Sequence, residues 1–185
     1  MSPDLIAAAQ SALDIAGLAA AYGTGLLFLQ AGFAKLRRSA FLPGIVANYR
    51  LLPEPLVMPV ARTLPIAEIL IGAALLASGE RLAIVMAVAL LLLFAGAMAI
   101  NIARGRSHID CGCGHSHLRQ PLSWPLIWGN LVLAAFALLR LVPASAPTLA
   151  ERLSAAAAGA GLFVLVLLFN ALGALALSPI AAKRR

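Results

Sequence analysis

The chain has 185 residues, 62% of them hydrophobic and only 11% charged, and its mean hydropathy is +0.96. Soluble domains carry roughly 25% charged residues, so a water-soluble fold is excluded, and several windows of about 20 apolar residues mark an integral membrane protein. The net charge of +7 reads as loop arginines obeying the positive-inside rule; a nucleic-acid surface is not expected, because no segment interleaves basic and aromatic residues.

The apolar segments are continuous rather than alternating, which favours helices over a β-barrel. The expected fold is all-α: a polytopic helix bundle forming one membrane domain, residues 1–185, with no room for a soluble one. No cleavable signal peptide is expected, since the first apolar run follows Asp4 and Asp14 without a positive n-region or a clear small-residue cleavage site. Five spans can be drawn, at about 15–34, 60–77, 82–103, 124–142 and 155–177. The first stops at Lys35-Leu36-Arg37-Arg38.

Between the first two spans lie Pro43, Gly44, Arg50, Pro53, Glu54, Pro55 and Pro59. Proline lacks the amide donor a helix needs, and an unsatisfied backbone in lipid is costly. This stretch therefore reads as a short interfacial helix over 41–52 and a proline-rich turn, with Tyr49 and Arg50 at headgroup level. Trp124 and Trp128, one turn apart at the start of the fourth span, read as interfacial anchors. The alanine run 155–158 reads as a small-residue face for close helix packing.

Basic residues divide unevenly. About ten lie on the side of the third-to-fourth loop, counting Lys35, Arg37, Arg38, Arg104, Arg106, Arg119 and the C-terminal Lys183-Arg184-Arg185, and about two or three on the other. That bias predicts the N-terminus outside, the C-terminus inside and this loop on the cytoplasmic face of a bacterial inner membrane.

The loop itself reads His108-Ile109-Asp110-Cys111-Gly112-Cys113-Gly114-His115-Ser116-His117 and holds both cysteines and all three histidines. A C-x-C pair closes a small ring that Gly112 permits, and such bridges are strained and exchange-competent. Neighbouring Arg and His favour thiolates, while Asp110 opposes them. Cys111 and Cys113 are therefore read first as a redox pair, tuned by His108, Asp110, His115 and His117. Those four residues also leave a metal site open as the alternative, although the spacing departs from structural zinc motifs. Inert cysteines and solvated histidines are the plain reading.

Polar side chains within the spans share the loop's half of the bilayer. Glu68 lies eight or so residues into the second span, about 12 Å deep at 1.5 Å per residue. Gln30, Asn101, Asn130 and Asn170 lie at similar or shallower depth, and the other half has little beyond Tyr22 and Thr24. An intramembrane carboxylate defaults to a functional reading. Glu68 could accept protons from oxidised thiols or contact a quinone headgroup, with Gln30, Asn101 and Asn130 lining the same polar pocket. The plain reading is a protonated or Arg62-paired structural glutamate, with the amides as interhelical hydrogen-bonding groups.

Taken together, Asn48-Tyr49-Arg50-Leu51-Leu52-Pro53, Pro65-xx-Glu68, and Asn101 followed by Asp110-Cys111-Gly112-Cys113-Gly114 resemble the MauE family of methylamine-utilisation membrane proteins, within the DoxX-like group. The resemblance covers nearly the whole chain, and the D-C-G-C-G loop is its most specific part. Family versions often place an aromatic residue just after this motif, where the present chain has His115, which keeps the metal alternative alive. The resemblance implies an accessory role in processing, transport or disulfide formation of the small (beta) subunit of methylamine dehydrogenase. The implied partner is a periplasmic thioredoxin-like protein of the MauD type. Cys111 and Cys113 would then exchange with that partner as part of a thiol-disulfide system without turnover of its own. Such work needs thiols reachable from the periplasm, whereas the basic residues place the loop inside. Two other classes remain: a metal-handling or small-solute transporter using the Cys/His loop, and an assembly factor without chemistry.

Overall fold

The computed structural model describes residues 3–77, 80–112, 121–141 and 147–176. Among them are six helices: α1 Pro3–Arg37, α2 Leu42–Asn48, α3 Glu54–Ala77, α4 Arg81–Ala103, α5 Trp124–Leu139 and α6 Leu149–Ala176. No strand occurs among the described residues, and an isolated bridge joins Asp110 to Pro121. The architecture is the all-helical membrane bundle that composition implied.

Four of the helices, α1, α3, α4 and α6, are long and apolar enough to cross a membrane. The fourth expected span, 124–142, is shorter than drawn. Helix α5 has 16 residues, roughly 24 Å at 1.5 Å per residue, against a hydrocarbon core about 30 Å thick. It ends where the Arg140 amide donates back to the Ala137 carbonyl at 3.1 Å. Helix α1 is longer than drawn, 35 residues, because Pro3 suits a first helical turn and the Ala-rich stretch after it has high helix propensity. Its early turns are tied to α6 by Ser11 Oγ donating to Glu151 at 3.1 Å. Glu151 also closes a reciprocal capping box: it accepts from the Thr148 amide at 2.8 Å, while its own amide donates to Thr148 Oγ1 at 3.3 Å. The interfacial helix is α2, shorter than the 41–52 segment.

Helix α1 runs through the centre, against α3, α5 and α6, while α4 packs on α5 and α3. Lipid tails give helices no hydrophobic reason to associate, so close backbone contact matters more. A Cβ on Gly72 would stand 2.8 Å from the Gly25 carbonyl oxygen, and one on Gly159 would stand 2.8 Å from that of Ala19. Gly72→Leu is therefore expected to force α1 and α3 apart, at a cost of about 1–3 kcal/mol. The check is a lowered melting temperature of the purified protein in detergent.

Two larger apolar clusters fill the bundle, beside a small one of Leu18, Ala19 and Ala155. One joins Ala21, Phe28, Leu75, Ile84, Ala87 and Leu91 with Ala134 and Ala137. The other, at the loop end, joins Ala95, Met98, Ile109, Cys111, Leu122, Leu126 and Ile127. Leu70, Val85, Leu92, Leu93 and Leu153 are exposed, as the lipid-facing side of a membrane bundle requires. Trp124 and Trp128 are exposed as well, at 55% and 61%.

Candidate functional site

The site begins where α4 ends. Gly105 adopts φ +70, a left-handed turn that suits glycine after a helix, and its amide donates to the Ile102 carbonyl at 2.9 Å. The chain then returns, and the Leu122 amide donates to the Ile109 carbonyl at 3.2 Å. With the Asp110–Pro121 bridge, this contact closes the neck of the cysteine loop.

Arginines fasten the neck to α2. Arg106 donates to the carbonyls of Asn48 and Tyr49 and, at 3.2 Å, to Asn101 Oδ1. Arg104 donates to the Arg50 carbonyl at 3.3 Å. The last carbonyls of a helix have no partner within it and form the negative end of its dipole, so two guanidiniums there are favourable. Tyr49 Oη donates to the Cys111 carbonyl at 3.3 Å. Asn48-Tyr49-Arg50 is therefore a strap across the base of the loop, beyond the headgroup anchor expected for Tyr49 and Arg50.

Beneath the strap, the Gly112 amide donates to Asp110 Oδ1 at 3.1 Å. Gly112 has φ +74, and a Cβ there would also meet Ile45 Cγ2 at 3.2 Å, so only glycine fits without strain. Cys111 is 8% exposed and packs with Met98, Leu122 and Leu126. Burial of this thiol comes from α4, α5 and loop residues, with Tyr49 packed against the cluster. Arg106→Met removes three hydrogen bonds to the strap and Asn101. It is expected to cost about 1.5–3 kcal/mol and to raise the rate at which maleimide labels Cys111.

Glu68 is 1% exposed and forms an ion pair with Lys35, itself 7% exposed. Lys35 Nζ donates to Oε1 at 2.6 Å and to Oε2 at 2.8 Å, and lies 5.5 Å from the centroid of the Phe94 ring. This corrects two expectations. Lys35 is not a loop residue that stops the first span, because α1 continues to Arg37 and turns the lysine inward. Arg62, which the plain reading offered as a partner for Glu68, is exposed. The signal was present in the sequence: an intramembrane carboxylate needs a cation at its own depth, and Lys35 sits at that end of α1. Gly32, one turn earlier, admits the approach, since a Cβ there would stand 2.8 Å from the Pro65 carbonyl oxygen.

The pair lines a chamber of about 680 Å³ bounded by α1, α3, α4, α5 and α6. Gln30, Asn130 and Asn170 also line it, as do Phe28, Phe94, Met98 and Leu126. The Asn130 amide group donates to the Leu126 carbonyl at 2.8 Å. Asn101 lies elsewhere: fully buried, it donates to the Ala97 carbonyl at 3.0 Å and accepts from Arg106, so it braces the neck rather than the chamber. A crevice of about 30 Å³ lies on the loop side, between Lys35, Arg38, Ile45, Asp110 and Gly112. Lys35 thus forms part of both walls.

His108 is exposed and Asp110 half-buried. Among the described residues, no three His, Cys, Asp or Glu side chains come together as a metal site. Cys113, His115 and His117 lie outside the described residues.

Long apolar helices, a strapped cysteine loop and a chamber with a buried ion pair define a multi-pass helical membrane protein with a thiol-bearing loop at one face. Residues 13–143 match the family model described as "Methylamine utilisation protein MauE", and the chain belongs to that family. A "Methylamine utilization protein MauE" of Paracoccus denitrificans is 41% identical over 162 residues, covering 85% of this chain and 87% of the relative. One from Methylorubrum extorquens is 40% identical over 145 residues, covering 77% and 78%. One from Paracoccus versutus is 38% identical over 153 residues, covering 80% and 82%. No solved structure matches the chain significantly.

Proposed function

We propose that this protein serves methylamine utilisation as an inner-membrane accessory in maturation of the methylamine dehydrogenase small subunit, with Cys111 and Cys113 exchanging thiols and disulfides with a thioredoxin-like partner of the MauD type. The observation that carries this reading is the construction at Asp110–Gly112. A left-handed glycine between the two cysteines, tied by an Asx turn and strapped by Tyr49, supports the tight ring a C-x-C disulfide needs. A strained ring of that kind is readily reduced and re-formed.

The basic-residue bias favours the N-terminus outside, the C-terminus inside and the loop on the cytoplasmic side. Exchange proceeds by direct attack of a thiolate on a disulfide sulfur, so exchange with a periplasmic partner requires the loop to face the periplasm, against that bias; with the loop inside, only electrons and protons could cross, by way of the chamber beside Glu68. The test is capture of a mixed disulfide. Single Cys111→Ser and Cys113→Ser proteins are expressed with the candidate partner and quenched with acid. A partner adduct in one of them, removed by reductant, is expected; no adduct from either would sink the exchange reading.

A further inference from the structure

We infer that the chamber between α1, α3, α4, α5 and α6 is a binding site for a lipid-soluble quinone, with its ring beside Lys35 and Glu68. The volume, about 680 Å³, falls within the usual range of ligand pockets, roughly 300–1,000 Å³. The walls are apolar toward mid-membrane, at Leu91, Leu133 and Leu165, and polar toward the loop, at Gln30, Lys35 and Glu68. That grading suits an amphiphile lying with its tail in the bilayer.

Charge decides the head. The Lys35–Glu68 pair is internally neutral and buried. A third charge beside it would be desolvated without a counter-ion, which costs several kcal/mol. A fatty-acid carboxylate or a phosphate headgroup is disfavoured on this ground, and a neutral head with hydrogen-bonding groups is favoured. The ammonium has three donors, of which Glu68 takes two, and the carboxylate keeps lone pairs. A quinone offers carbonyl acceptors and, once reduced, hydroxyl donors; the ion pair can meet both forms. Phe94, a half-buried lining residue, supplies a flat apolar face for the ring.

The chamber also connects to the loop. Lys35 is shared with the crevice beneath Asp110 and Gly112, whose volume of about 30 Å³ admits one water. Met98 and Leu126 are shared between the chamber wall and the cluster around Cys111. Occupancy of the chamber stands on its own geometry; its use in electron transfer rests on the thiol-exchange reading. In that use, two thiols form one S–S bond and give up two electrons and two protons. The quinone takes up both and becomes the quinol, with the crevice and ion pair carrying the protons.

Both tryptophans of the chain stand on α5 beside chamber residues, Trp124 next to Pro125 and Trp128 next to Gly129, so their fluorescence reports binding. The full chain in phosphatidylcholine nanodiscs is titrated with decylubiquinone. Saturable quenching is expected, at least tenfold weakened in Gly129→Phe, which grows into open space because a Cβ there meets nothing within 4 Å. An unchanged melting temperature shows that the variant is folded; Asn130→Leu provides a second chamber variant. Decanol, with the same tail length and no quinone head, is expected not to displace the probe. Quenching that rises linearly without saturation, equal quenching in both folded variants, or equal displacement by decanol would overturn the proposal and leave a lipid-filled crevice. The readout does not involve the cysteines, so its failure leaves the mixed-disulfide test untouched, and the reverse holds too.

Discussion

Lys35→Met is expected to destabilise the protein by about 3–5 kcal/mol, and Glu68→Gln by a similar amount. Each single substitution leaves the partner's charge buried without compensation, at a site where exposure is 7% and 1%. The cost lies mainly in that orphaned charge rather than in the lost attraction, so the double substitution Lys35→Met with Glu68→Leu is expected to recover most of it. Well-packed apolar replacements for a buried pair are often neutral or stabilising. Thermal melts of the four proteins in one detergent give the cycle. Additive losses in the double variant would mean that the residues do not act as a pair. If the pair also serves the chamber, the double variant is stable yet defective in methylamine growth, which separates packing from function.

Cys111→Ser and Cys113→Ser are each expected to abolish growth on methylamine while leaving growth on other carbon sources unchanged. Thiol exchange is not shared between the residues: one cysteine alone forms a mixed disulfide but has no neighbour to resolve it. Burial makes the control for Cys111 important. It packs with Met98, Leu122 and Leu126, so serine there perturbs packing as well as chemistry. Cys111→Ala retains an apolar side chain without the thiol. Failure of both Cys111 variants to support growth, at wild-type protein levels, identifies the thiol as the lost component. Growth with either serine variant would favour a docking role for the loop.

Much of the architecture was legible because a membrane constrains it so strongly. Runs such as Leu82 to Ala103 have no other physical solution than a buried or lipid-facing helix. Helix ends were less legible. Nothing in the apolar count marks where α1 starts, since the Ala-rich segment after Pro3 is a good helix whether or not lipid surrounds it. The strap was partly visible: Asn48-Tyr49-Arg50 stood out as a motif, but its purpose depends on Arg104 and Arg106, more than fifty residues away. Lys35 was the main misreading. Beside Arg37 and Arg38 it looked like one more interfacial cation, and only helical phase separates it from them. Depth arithmetic puts Gln30, Glu68, Asn130 and Asn170 in one half of the bundle, and in the structure these four, from four helices, line one chamber. Asn101 shares their depth but faces Arg106, because depth along a helix says nothing of rotation about it.

The central claim is that the C-x-C pair cycles between dithiol and disulfide in the cell. Its most direct test is the redox state of Cys111 and Cys113 during growth on methylamine, read by alkylation mass shift after acid quenching, with and without the thioredoxin-like partner. The expected result is a mixture of oxidised and reduced protein that moves decisively to one form when the partner is deleted. A pair held in the same state in both strains would contradict it.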